Sequence, residues 1–311
     1  MQDYPTGRYP SSLLDIDGFH VKISKSMGVS MKFIMTFLLA AVTLFPIPSQ
    51  GEMREVKVGV FTTDPKRITD EGKVMEYLSR KVGVRFVVVP VIGYERSVEK
   101  LASGGIDAGI FGSAPAFISI KRGVAEPIAR PEARKSSVYY GYWLTLKGSG
   151  LRNIKDFKGK RFAYVDPFTS AGYLFPRAAI KEKGFDPERF FGSVKFSKTH
   201  EASIQMLLNG TVDGCAAKDT AYKKFIDTNI ELKDRLVIVD VDGPFPERSL
   251  VISKRVDEAV RRKVREALLE MDGDPEGKRV LAEAGRDRYV ETADADFAAI
   301  ERILKTLEVH K

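Results

Sequence analysis

The segment Asp166-Pro167-Phe168-Thr169-Ser170-Ala171-Gly172-Tyr173 holds the strongest chemical signal in the chain. It follows a β-rich run at 161–165 and opens a helical stretch over 170–183. The first backbone N–H groups of a helix have no acceptor within it, and the positive end of the helix dipole lies at the same place. Small hydroxyl residues at such a start leave those groups open to an anion. Each charge-assisted hydrogen bond formed there is worth about 1.5–3 kcal/mol. A cap made by Thr169 or Ser170 alone satisfies the same pattern. The chain has neither a G-x-G-x-x-G turn nor a phosphate loop with its lysine, so nucleotide binding has no support. Ser113, after a strand at 106–111, opens another helix. It can cap that helix or present N–H groups beside it.

These residues need elements to hold them. The chain has 311 residues with 50 Lys+Arg against 42 Asp+Glu, three His and one Cys. That is enough for two medium lobes with real cores, and 43% hydrophobic residues exclude wholesale disorder. A single cysteine excludes an internal disulfide and thiolate metal frameworks, and three histidines leave little for an imidazole site. The net charge of +8 favours an anionic partner. Strand patterns at 56–61, 84–91 and 106–111 alternate with helical patterns at 73–81, 94–103 and 113–121. After a long aromatic strand at 138–146 a second series begins: strands at 161–165, 193–196, 212–217 and 236–241, with helices at 170–183, 200–208 and 220–227. A strand at 250–253 and helices at 256–270, 276–284 and 294–307 close the chain. This alternation indicates an α/β protein with mainly parallel sheets.

Residues 33–45 form an uncharged apolar run preceded by Lys22, Lys25 and Lys32. Ser49 and Gly51 place small residues at the −3 and −1 positions of a cut after Gly51, the layout of a secretory signal peptide over 27–51. An uncleaved anchor is the alternative, but the run is shorter than the roughly 20 residues a spanning helix needs. Residues 1–26 read as a non-structural extension ahead of Met27 or Met31. Cys215 is far from the cleavage point, so no lipid-bearing N-terminal cysteine is available.

The chain resembles the phosphonate/phosphate/phosphite-binding proteins of bacterial ABC importers. The likeness rests on Tyr77-Leu78 with Val82-Gly83-Val84, on Gly105 to Ala108 leading to Phe111-Gly112, and on Tyr139-Tyr140. It continues through Ile154 to Lys160, the 166–176 segment, His200-Glu201-Ala202, and Leu208-Asn209-Gly210 before Val212-Asp213. Each piece is weak alone; their order and spacing are specific. The resemblance implies a two-lobed type II periplasmic binding-protein fold with two interlobe crossing strands, near 139–146 and 246–251. Lobe 1 is expected over 53–144 plus 246–311, and lobe 2 over 145–245.

The resemblance also assigns residues. A Ser-Thr-Ser run grips the oxyanion in that family; here Thr169, Ser170 and Ala171 occupy the three places, and Ala171 lacks the hydroxyl. His200 matches a histidine that donates to the ligand. Tyr94 and Tyr139 match two tyrosines, although Tyr139 and Tyr140 face opposite sides of a strand and only one can enter the cleft. Ser113 stands where the first lobe offers donors, in a Gly112-Ser113-Ala114-Pro115 stretch that departs from the family's usual Gly-Pro. Asp219, and less clearly Glu247, fit the place where a carboxylate meets an amine-bearing phosphonate. The implied protein is a monomeric periplasmic receptor that hands a small oxyanion to an inner-membrane ABC permease, with no cofactor, no metal and no catalysis. Two other classes compete. Ser170, His200 and Asp219 can be drawn as a hydrolytic triad, although no G-x-S-x-G elbow accompanies them. A soluble partner of a sensor kinase is also compatible. Nucleic-acid binding is disfavoured, because the basic residues are scattered among acids.

Overall fold

A computed structural model describes residues 55–61, 65–91 and 94–308. The apolar run at 33–45, its cleavage point and the first 26 residues lie outside them. The first series comprises β1 (Glu55–Phe61), α1 (Pro65–Val82), β2 (Arg85–Val91), α2 (Tyr94–Ser103), β3 (Ala108–Phe111), α3 (Ser113–Lys121) and β4 (Ala125–Glu132). The second comprises β5 (Val138–Leu146), β6 (Arg161–Tyr164), a π-helical turn (Ser170–Leu174) running into α4 (Phe175–Glu182), and β7 (Ser193–Phe196). It continues with α5 (His200–Leu208), β8 (Gly214–Lys218), α6 (Asp219–Thr228) and β9 (Leu236–Pro246). The chain then returns through β10 (Ser249–Ser253), α7 (Glu258–Leu269), α8 (Pro275–Glu283) and β11 (Arg288–Glu291), and ends in α9 (Ala298–Glu308).

Two sheets result. One has the order β11-β4-β10-β3-β1-β2, the other β7-β6-β8-β5-β9. Each has its own apolar core. Val56, Val58, Tyr77, Leu78 and Ile252 belong to the first, and Leu144, Ala163, Ile204, Leu207 and Cys215 to the second. Burying each such side chain contributes about 1.5–3 kcal/mol, so each lobe coheres around its own interior.

The sheets are mixed where mainly parallel ones are expected. β1 pairs in parallel with β2 and β3, as does β6 with β7 and β8. β10 is antiparallel to β3 and β4, β11 to β4, and β5 to β8 and β9. Strand–helix–strand units give the parallel pairs. The antiparallel ones arise where strands arrive from the other lobe or return to it. Two of these strands, β4 and β11, are absent from the sequence reading.

β5 pairs along its length within the five-stranded sheet, and β9 extends to Pro246. The connections between sheets are therefore short, at 133–137 and 247–248, rather than long strands shared between lobes. They run side by side, since Glu247 N donates to Ser137 O at 2.9 Å. The C-terminal part does not belong to the first lobe alone. α9 packs on α4 and β9, while its Glu301 pairs with Lys121 of α3 and its Arg302 with Glu182 and Asp242.

Candidate functional site

The start of the helix after β6 is shaped by its own loop. Asp166 O accepts from both Thr169 N, at 3.0 Å, and Thr169 Oγ1, at 2.7 Å, while Asp166 Oδ1 accepts from Phe168 N at 3.2 Å. The Thr169 hydroxyl proton is thus committed to the loop. Val165 N donates to Gly172 O at 3.0 Å, which seats the turn on the end of the strand. This approach requires glycine, because a Cβ on Gly172 would lie 2.6 Å from Val165 Cβ and 2.7 Å from Thr169 Oγ1. Tyr173 N and Leu174 N both reach back to Thr169 O, so the first three N–H groups, of Ser170, Ala171 and Gly172, find no acceptor among the described residues. Ala171 is buried against β5. A Cβ on Gly141 would come within 3.3 Å of the Ala171 methyl, so residue 171 serves the site through its N–H.

Ser170 and Ala171 line a cleft between the lobes with Phe168, Thr169 and His200. The first lobe adds Gly112, Ser113 and Pro115, the start of β5 adds Tyr139, and the returning connection adds Glu247 and Arg248; Lys218 stands at the end of β8. α3 and α5 also begin at this cleft, so three helix starts face it.

His200 opens α5, which Thr199 caps by accepting from Ala202 N at 3.1 Å. Lys218 N donates to His200 Nδ1 at 3.1 Å. An accepting Nδ1 carries no proton, so the neutral ring holds its hydrogen on Nε2. Burial, reinforced by the Lys218 charge, pushes the imidazole pKa down to about 3, and the ring stays neutral at ordinary pH. It presents one N–H donor whose tautomer is set by the backbone.

The floor of the cleft is built differently. Ser113 Oγ donates to Pro246 O at 2.9 Å, which leaves the Tyr139 hydroxyl as the donor in the 2.7 Å bond between Tyr139 and Ser113. Burial pushes the Tyr139 phenol up to about 12, so it remains a donor. One serine thus ties the first lobe to the ends of β5 and β9 that flank the two connections. The Lys218 ammonium lies 4.1 Å from the centre of the Tyr139 ring and holds both Glu247 oxygens, at 2.7 and 2.8 Å. Arg248 is half-buried and makes no ion pair among the described residues.

Of the residues named from sequence, Thr169, Ser170, Ala171, His200, Tyr139, Ser113 and Glu247 meet in this cleft. Tyr139 enters it; Tyr140 is 38% exposed and faces away. Ser113 is not the cap of α3, since Gly112 holds that position and the serine hydroxyl is spent on Pro246. Tyr94 opens α2, and its side chain lies outside the described residues. Asp219 does not reach the cleft. It is 3% exposed, and its carboxylate accepts from Tyr140 N at 2.8 Å and pairs with Lys223 at 2.7 Å. The same geometry dissolves the triad, because the nitrogen that a carboxylate would orient, His200 Nδ1, already accepts from Lys218 N. Sequence reasoning missed Lys218 and Arg248. The first is one residue from Asp219, at the junction where β8 ends and α6 begins, and no periodic pattern there marks which of the two turns inward. The second is an isolated arginine without a local pattern.

Comparison with known proteins yields concordant results. The family model described as the phosphonate periplasmic substrate-binding protein of ABC transporters matches residues 60–297. A phosphate-import protein, PhnD, of Mycolicibacterium smegmatis is 25% identical over 172 residues, which cover 51% of this chain and 53% of that protein. The chain therefore aligns with only about half the length of this curated relative. Among solved structures, PhnD1 of Prochlorococcus marinus in complex with methylphosphonate superposes with a TM-score of 0.67 at 18% identity, covering 82% of this chain and 98% of that one. A binding-protein component of an ABC phosphonate transporter from Pseudomonas aeruginosa also gives 0.67 at 18% identity, covering 81% and 86%. These likenesses carry the type II periplasmic binding-protein fold.

Proposed function

The chain belongs to the phosphonate-binding family of periplasmic ABC-transporter substrate-binding proteins, and on that premise we propose that its interlobe cleft captures a small phosphorus oxyanion for delivery to an ABC permease. The observation that carries this reading is the convergence of unspent donors. The N–H groups of Ser170 and Ala171, the Nε2–H of His200 and the guanidinium of Arg248 all belong to one cleft at which three helices begin. A tetrahedral anion offers several acceptor oxygens to such a set, and donors aligned in a partly dry cleft bind it more strongly than water-exposed ones. Thr169 and Ala171 contribute structure and backbone; Ser170 and His200 contribute side-chain donors. Tyr139 and Ser113 hold the first lobe to the ends of β5 and β9. The lobes close on the ligand by hinge motion about residues 133–137 and 247–248.

The protein works in the periplasm as a monomer, after export and cleavage near Gly51, and performs no chemistry on its cargo. No helix among the described residues is long and apolar enough to cross a membrane. Titration calorimetry of the mature chain with phosphate, phosphite and methylphosphonate, against sulfate as control, tests the reading. Saturable binding of at least one phosphorus oxyanion is expected, and heat from none of them overturns it. N-terminal sequencing of periplasmic protein should return a chain starting at Glu52; recovery of intact Met31 in a membrane fraction would refute the export reading.

A further inference from the structure

Both carboxylates that sequence reasoning offered to a positively charged ligand are already taken by lysines of the chain. Asp219 is turned out of the cleft, onto Tyr140 N and Lys223. Glu247 stays in the cleft, but Lys218 spans both of its oxygens, and the same ammonium covers the Tyr139 ring at 4.1 Å. The side chains of Lys218 and Glu247 are only 17% and 20% exposed. Arg248 adds a second cation to the lining, with no ion pair of its own among the described residues. Among the described residues, a cationic substituent on a bound anion would therefore meet an ammonium and a guanidinium, and would find no cleft carboxylate with a free oxygen.

We propose that the Lys218–Glu247 pair makes this cleft select phosphorus oxyanions without a positively charged substituent, excluding aminoalkylphosphonates. This rests on the oxyanion reading given above and adds the substituent class to it. Lys218 acts as an internal counter-ion that occupies the site an external amine would otherwise use. Its position is fixed from two directions: its backbone N–H is held by His200 Nδ1, and its side chain by Glu247 and the aromatic face. Selectivity of this kind arises by placing a like charge against the wrong ligand as much as by contacts to the right one.

Titration calorimetry on the mature chain, with propylphosphonate and 2-aminoethylphosphonate as a pair of equal size, reads charge without size. Methylphosphonate and phosphate serve as the binding reference. The parent should bind propylphosphonate at least about tenfold more tightly than its amine counterpart, equivalent to about 1.4 kcal/mol. Lys218→Gln frees Glu247 and should shrink or invert that ratio. Glu247→Gln leaves the ammonium unbalanced and should widen it; the opposite movement of the two variants guards against a mere loss of fold in either. Equal affinity of the parent for the pair would overturn the proposal while leaving the oxyanion reading in place. Equal rejection of both, with methylphosphonate bound, would assign the selection to size and overturn it too. Failure of phosphate and methylphosphonate to bind at all would remove the oxyanion reading and this inference with it.

Discussion

The wall of the cleft formed by the second lobe and the floor formed by the connections use different physics. On the wall the donors are neutral: backbone N–H groups of a helix start, a serine hydroxyl and an imidazole held in one tautomer by Lys218 N. On the floor the groups carry full charges, with Arg248 beside the Lys218–Glu247 pair, braced by the Tyr139–Ser113–Pro246 chain of hydrogen bonds. Dipoles fall off within a few ångströms and read the geometry of an anion. Charges reach further, are screened by salt, and read its net charge. Shape and charge are thus read by separate sets of residues.

That division can be broken from either side. The largest effect is expected at Arg248: its replacement by Gln removes a cation that has no ion pair among the described residues and should weaken oxyanion binding by about 2–5 kcal/mol, the range for truncating one partner of a hydrogen-bonded charge pair. The salt dependence of affinity should flatten in the same variant, and calorimetry at two ionic strengths reads both. His200→Ala removes a neutral donor and should weaken binding by about 1.5–3 kcal/mol with the salt dependence unchanged. If its salt slope collapses like that of the Arg248 variant, the separation of wall from floor is wrong. Gly172→Ala forces a methyl against Val165 and Thr169 and should lower the stability of the empty protein by about 1–3 kcal/mol in denaturant titration.

A finer probe is pH. The His200 pKa is about 3 in the folded protein against about 6.5 for a free imidazole, so between those values the unfolded chain binds more protons. Its contribution to stability is full above pH 6.5 and is lost progressively as the pH falls toward 3. His200→Asn should flatten the melting-temperature profile across that window. The smallest effect belongs to Ala171→Ser. With the methyl resting against Gly141, an added hydroxyl should change affinity by less than about 1 kcal/mol, because the donor that residue 171 supplies is its backbone N–H.

Much of this site is written locally. A hydroxyl pair at the head of a helix after a strand, and a histidine at the head of another, announce themselves by position, and both stand in the cleft. What the sequence hides depends on partners far along the chain. β4, Ala125–Glu132, carries two prolines and a buried arginine, so it shows no strand alternation. Arg130 is satisfied there mainly by Asp296 and Glu291 O, more than 160 residues away, with Ser137 Oγ as a weaker local partner at 3.3 Å. The short β11 is a strand only because β4 lies beside it. Asp219 looks like a cleft residue from its place after β8, but it is the first residue of α6 and turns toward Tyr140. Its neighbour Lys218 takes the inward position. Arg248 follows a proline-rich segment with no periodic context, and only the return of the chain between the lobes gives it a place.

The helix α9 has a mechanical consequence. It is held to α3 through Lys121–Glu301 and to α4 and β9 through Arg302, so it bridges the lobes a third time, away from the paired connections. These ion pairs are largely exposed, and each is worth at most about 1 kcal/mol. Packing holds the strap in place, with Ile300 and Ile303 fully buried and Phe297 against Phe117, so these pairs only trim its reach. Like a check strap on a door, it limits how wide the swing can be, and the resting angle is left to whatever sits in the cleft.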